Sequence, residues 1–178
     1  MRVVLVRHPT PLVDPGLCYG RLDVPLHPTA AASVTRLTAD PALCGISRVW
    51  SSPAARCRSV SDAIAARTKA VLTIDERLLE MNFGDWEGRP WDTVDRADID
   101  RWAAAPLSFA PPHGESGAAI IARVQACLAD LRRDQRDCIV VSHGCPLKIL
   151  MALLADRQVD LLAAAPPLGS LLTVTVSP

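Results

Sequence analysis

The stretch that most constrains this chain is Arg2-Val3-Val4-Leu5-Val6-Arg7-His8-Pro9. Three of its residues are branched at Cβ, and the run ends abruptly in a cation, an imidazole and a proline. A short apolar run closed by a breaker reads as a buried strand, central and parallel. Proline has no N–H to give to a ladder, so the strand stops there. Arg7 and His8 then stand at the carboxyl end of a strand, the edge where open α/β sheets bind ligands. Taken alone, the pair fits a solvated loop as well.

A second stretch shifts the balance. Cys138-Ile139-Val140-Val141-Ser142-His143-Gly144 repeats the grammar: a β-branched run, then a histidine, then a glycine. Two of the four histidines thus end the two clearest strands. Neighbouring strands lie about 5 Å apart, so two imidazoles at their ends can flank one small ligand.

Between these strands the pattern alternates. A helix is expected from about Thr29 to Ala39, a strand at Arg48–Ser51, and a helix from Ser52-Pro53 to about Thr68 with Ser52 as cap. Val71–Ile74 reads as a strand, 75–88 as turns, and Trp91–Ala104 as a helix. Ile120, Val124, Leu128 and Leu131 recur at helical spacing. Leu147–Leu154 reads as a buried helix and Leu171–Val176 as an edge strand. Strands alternating with helices argue for a layered α/β sheet in one domain of 178 residues. The proline-rich loop 9–29 is long enough to be functional, and 81–113 is the expected insertion over the active edge.

Formal net charge is zero, which gives no electrostatic case for nucleic acid or an anionic membrane. Lys69 and Lys148 are the sole lysines, so a local cluster of arginines on this neutral background would mark a specific anion site. The six cysteines show no metal-finger or C-x-x-C spacing and read as reduced thiols of a cytoplasmic protein. No apolar stretch approaches the roughly 20 residues that span a bilayer. A monomer and a homodimer are both compatible with the pattern.

Phosphoryl transfer asks mainly for positioning and positive charge. Without a P-loop or an acidic metal cluster, the charge must come from Arg7, Arg56 and a protonated His143. A neutral imidazole can then serve as nucleophile. Arg56, in the first turn of a helix, opposes the local dipole; an anion bound between it and the helix start would resolve the conflict. Glu80 and Glu87 are equal contenders for a general acid on residue chemistry alone.

Four motifs in order, Arg7-His8, Ser51-Ser52-Pro53-Ala54-Ala55-Arg56-Cys57, Leu79-Glu80-Met81-Asn82-Phe83-Gly84-Asp85-Trp86-Glu87-Gly88 and Ser142-His143-Gly144, resemble the histidine phosphatase (phosphoglycerate-mutase-like) superfamily. The resemblance implies a three-layer α/β/α fold with a mostly parallel central sheet. It implies His8 as the residue that becomes phosphohistidine, Arg7 and Arg56 as phosphate ligands, His143 as the second histidine, and Glu80 as acid and then base. No metal or cofactor is implied. The substrate is a small phosphate ester, met also by Thr10, Tyr19, Gly20, Arg21 and Gly144. Tyr19-Gly20-Arg21-Leu22-Asp23-Val24-Pro25-Leu26 is similar to the substrate loop of the branch that includes α-ribazole phosphatases. Two departures stand out: the usual Arg-His-Gly is Arg-His-Pro, and Asp14 replaces a common asparagine. Pro9 removes an N–H that Thr10 could replace with its hydroxyl, and Asp14 should face the alcohol or stay outside. His27 reads as a loop or cap residue that could also line the entrance, His113 as a helix cap, and Trp86 and Trp91 as core or lid packing rather than substrate stacking platforms. A phosphomonoesterase is expected; a mutase, a phosphohistidine-protein phosphatase and a non-catalytic phosphate sensor are the rivals.

Overall fold

The computed structural model describes residues 1–175. Its centre is a five-stranded sheet of order β3-β2-β4-β1-β5. The strands are β1 (Arg2–Arg7), β2 (Arg48–Ser51), β3 (Val71–Ile74), β4 (Cys138–Ser142) and β5 (Leu171–Thr175). The first four are parallel, and β5 closes one edge antiparallel to β1. Val176, expected in the last strand, lies outside the described residues.

The β-branched runs form the central pair because both of their faces are covered. Val4 and Val6 of β1, with Val49, Ile139 and Val141, pack against Leu37, Val60 and Ile64. These come from α1 (Ala31–Thr38) and α2 (Ala55–Thr68). Val3 and Leu5 point to the opposite face, with Val140. There they meet Ile120, Val124, Leu128 and Leu131 of α4 (Gly117–Asp134) and Leu147 and Leu150 of α5 (Gly144–Leu154). Each such fully buried side chain contributes about 1.5–3 kcal/mol. The result is the expected three-layer α/β/α sandwich.

Local chemistry moves several boundaries. Ser52 does not cap α2: the helix starts at Ala55, three residues later, and the Ser52 hydroxyl meets His143 and accepts the Ala54 N–H on the approach to the helix. The expected helix at 91–104 is a short 3-10 turn at Trp91–Thr93 followed by α3 (Arg96–Ala104). The break falls where the Asp95 carboxylate accepts the Ala97 N–H and starts a new helix. His113 is not a cap either. It takes a left-handed conformation (φ 57°) and faces Asp85, while Ser116 caps α4. His27 does cap, accepting the Thr29 N–H.

Residues 81–113 gather around a small third core of Trp86 and Val94 with Cys18, flanked by Phe83, Trp91, Trp102 and Phe109. This core ties the segment to the 9–29 loop, with Leu17 bridging Pro90. All six cysteines are unpaired thiols.

Candidate active site

Parallel pairing in register sets Arg7 beside Ser142, so His8 and His143 emerge together past the carboxyl ends of β1 and β4. Both rings are buried, their centroids 5.2 Å apart and nearly edge to face. Val141 also pairs with Ser51, which brings Ser52 and the first turn of α2 to the same edge. Arg7, His8, Arg56, Glu80 and His143 therefore converge, although 136 positions of sequence separate the first from the last.

His8 is held in one orientation. Its Nδ1 lies 2.7 Å from the Pro9 carbonyl oxygen. A carbonyl only accepts, so Nδ1 carries the proton and Nε2 keeps its lone pair. Burial lowers the pKa from 6.5 to about 3; the Pro9 contact opposes this, and Arg56 and Arg7 add to it. The imidazole is neutral at physiological pH. Proline at position 9 thus supplies the one backbone group the ring requires, its carbonyl.

His143 corrects one expectation. Arg56 Nε donates to its Nδ1 at 3.2 Å, so Nδ1 is an acceptor, and Nε2–H donates to Ser52 Oγ at 2.7 Å. Burial first, and then Arg56, His8 and Arg7, push its pKa far below the ordinary value. It is neutral in the free site, not the cation expected from the sequence.

Arg56 is completely buried. Its other contacts are the carbonyls of Gly20 (2.6 Å) and Leu22 (3.0 Å), and it sits over the Tyr19 ring at 5.5 Å. The helix-start conflict is resolved from inside the chain: Asp23 Oδ1 accepts the Ala55 N–H at 2.8 Å. Arg7 is anchored by the Pro166 carbonyl at 2.5 Å and packs against Gly144, where an added Cβ would fall 3.2 Å from Nη2. Gly20 is needed for a similar reason, since a Cβ there would meet the Met81 carbonyl at 1.9 Å.

Glu80 receives the Met81 N–H at 3.0 Å and the Cys145 N–H, in the first turn of α5, at 3.2 Å. Glu80 is half-buried, and burial raises its pKa against the pull of Met81, Arg7, Cys145 and Arg56. Arg77 is paired with Asp75 and Asp130. Glu87 is committed elsewhere: it accepts the N–H groups of Arg21, Leu22 and Phe83 and so fixes the 19–22 loop. That separates the two carboxylates which sequence alone left equal.

Arg21 reaches Glu80 through the backbone, donating to its carbonyl at 3.1 Å and facing Glu115 at 3.6 Å. Thr10 and Asp14 are exposed at the periphery. Sequence reading missed the supports. Arg123 donates to the carbonyls of Arg77, Leu79 and Glu80 and is itself paired with Glu115 at 2.7 Å. Glu115 also accepts the Asn82 N–H. Their signal was present in the Gly114-Glu115-Ser116 turn, but the partner Arg123 lies on a helix face with no motif of its own. Among the described residues, no group of three or more His, Cys, Asp or Glu is placed to share a metal ion.

A neutral imidazole, two fixed guanidinium groups and a half-buried carboxyl are thus set together at the carboxyl edge of a parallel sheet. The chain belongs to the histidine phosphatase superfamily (branch 1), whose profile matches residues 3–176. It is similar to "Putative phosphoserine phosphatase 2" of Hydrogenobacter thermophilus, with 29% identity over 158 residues covering 86% of this chain and 78% of that protein. Its fold matches the α-ribazole phosphatase of Shigella flexneri with a TM-score of 0.87 at 24% identity, covering 99% and 91% of the two chains. A mycobacterial glucosyl-3-phosphoglycerate phosphatase superposes with a TM-score of 0.81 at 25% identity, covering 97% and 88%. The family and these relatives support a phosphatase.

Proposed function

We propose that this chain is a metal-independent phosphomonoesterase that works through a phosphohistidine at His8. The observation that carries the reading is the His8 hydrogen bond to the Pro9 carbonyl, which aims a neutral Nε2 lone pair into a site with two guanidinium groups. Arg7 and Arg56 offer two positive charges to a phosphate dianion. His8 Nε2 attacks phosphorus, and the P–O bond to the alcohol breaks. The protonated Glu80 carboxyl gives its proton to the departing alkoxide. In the second half, water gives a proton to the Glu80 carboxylate and attacks phosphorus, and the N–P bond breaks to release phosphate. The double duty requires the raised pKa that burial gives Glu80. The dianion also favours a proton on His143, whose neutrality burial and the neighbouring cations impose.

For the substrate, the Tyr19–Leu26 loop favours α-ribazole 5′-phosphate, a step in cobalamin nucleotide-loop assembly. The Hydrogenobacter relative favours O-phosphoserine as a second reading. The deciding experiment measures phosphate release from both, beside 3-phosphoglycerate and nucleotides, with EDTA present and His8→Ala as control. Release that EDTA spares and His8→Ala abolishes supports the reading. The absence of release from every ester favours the phosphate sensor.

A further inference from the structure

Beside Glu80 and Arg7 lies a cavity of about 180 Å³ whose wall does not include His8, Arg56 or His143. Its apolar lining comes from three parts of the chain: Met81 and Phe83 after Glu80, Trp102 on α3, and Leu161 and Ala165 after α5. Two cations also border it, and both are already committed to main-chain carbonyls. Lys148 Nζ donates to Leu161 at 2.6 Å and Ala163 at 2.8 Å, and Arg7 Nη1 donates to Pro166. These cations pin the 161–166 wall in place.

We propose that this cavity receives the alcohol side of the substrate ester and selects an uncharged, ring-sized apolar group there. The inference rests on the phosphatase reading above and deepens it. Glu80, the acid for the departing oxygen, is part of the wall, so a leaving group protonated by Glu80 has its next atoms at the cavity mouth. Size limits the occupant. Sites for drug-sized ligands run from about 300 Å³, whereas an apolar cavity of roughly 150 Å³ holds one benzene. This cavity takes one ring or a short branched chain. Chemistry limits it further. The ammonium of an amino acid would have to shed water against Met81, Phe83, Trp102 and Leu161 with the Arg7 and Lys148 cations on the same wall, a costly transfer.

The test compares primary-alcohol esters of similar leaving-group acidity: benzyl phosphate, glycerol 1-phosphate and O-phosphoserine. For the unmodified protein, kcat/KM for benzyl phosphate should exceed both others by at least about tenfold. Trp102→Ala, on one wall, and Leu161→Ala, on another, should each lower the benzyl-to-glycerol ratio several-fold and raise 2-naphthylmethyl phosphate relative to benzyl phosphate. Because a ratio is read, the fraction of active protein cancels, and the second variant serves if the first does not fold. Equal kcat/KM for the three esters, or a preference for O-phosphoserine, with turnover still lost in His8→Ala, overturns the cavity assignment and leaves the phosphatase intact. Benzyl preference unchanged in both variants also overturns it. Turnover that survives in His8→Ala overturns the mechanism on which the assignment rests.

Discussion

At the scale of single residues, the site is built by taking charge away from its histidines. His8 has a pKa of about 3 in the folded chain against 6.5 when free. Below pH 6.5 the unfolded chain therefore binds a proton that the folded chain refuses. The stability tied to a neutral His8 is complete above about pH 6.5 and is lost as pH falls toward 3, at about 1.4 kcal/mol per pH unit. His8→Asn should flatten the slope of unfolding free energy against pH by about that amount between about pH 6 and 4, read from urea titrations. An unchanged slope would mean that His8 is not held neutral. Glu80 shifts the other way. Its protonated form persists above the ordinary carboxyl range, so kcat/KM should fall as pH rises through the raised pKa, and Glu80→Gln should lose that limb. The same variant should slow alkyl esters by about 10²–10⁴-fold. With p-nitrophenyl phosphate, whose leaving group needs no proton, it should instead show a rapid burst and then a slow turnover. Equal losses for both esters in the first turnover would move the acid role elsewhere.

At the scale of elements, the site depends on loops locked to helix starts. Asp23 binds the first turn of α2, Arg56 reaches back to Gly20 and Leu22, and Glu87 gathers the N–H groups of the same loop. Asp23→Ala should cost about 1 kcal/mol, as cap removal does, and raise KM more than it lowers kcat. Thermal melts and steady-state kinetics check both parts, and an unchanged KM would separate the loop from substrate binding. These loops also mark where sequence stops being legible. The ends of β1 and β4 could be read because β-branched runs and their breakers are local. The start of α2 could not, because two of its contacts are tertiary: Ser52 with His143, 91 positions away, and the Ala55 N–H with Asp23. For the same reason the carbonyls that hold Arg56 could not be read from its own helix. Its actual partners, and the carboxylate at the helix start, come from a loop more than thirty residues upstream. The roles of Arg123 and Glu115, which hold the backbone of Glu80, are purely tertiary.

At the scale of the whole molecule, the proposed phosphate site lies at a sheet edge that folding must keep assembled. A ligand that resembles the transferring phosphoryl group should stabilise the fold by mass action, by about 2.7 kcal/mol at a hundredfold excess over Kd. For a chain of this length that is a rise in Tm of roughly 5–10 °C. Inorganic phosphate is the probe, and EDTA present with it should not diminish the shift. A shift that vanishes with EDTA would place a metal in the site. The central claim is the phosphohistidine itself. Its most direct test is a rapid base quench during turnover of a phosphate monoester in EDTA, followed by mass spectrometry of the peptides. The account predicts one phosphoryl group per chain, on Nε2 of His8, absent from His8→Ala together with turnover. Turnover with no labelled His8, or turnover that survives in His8→Ala, would contradict it.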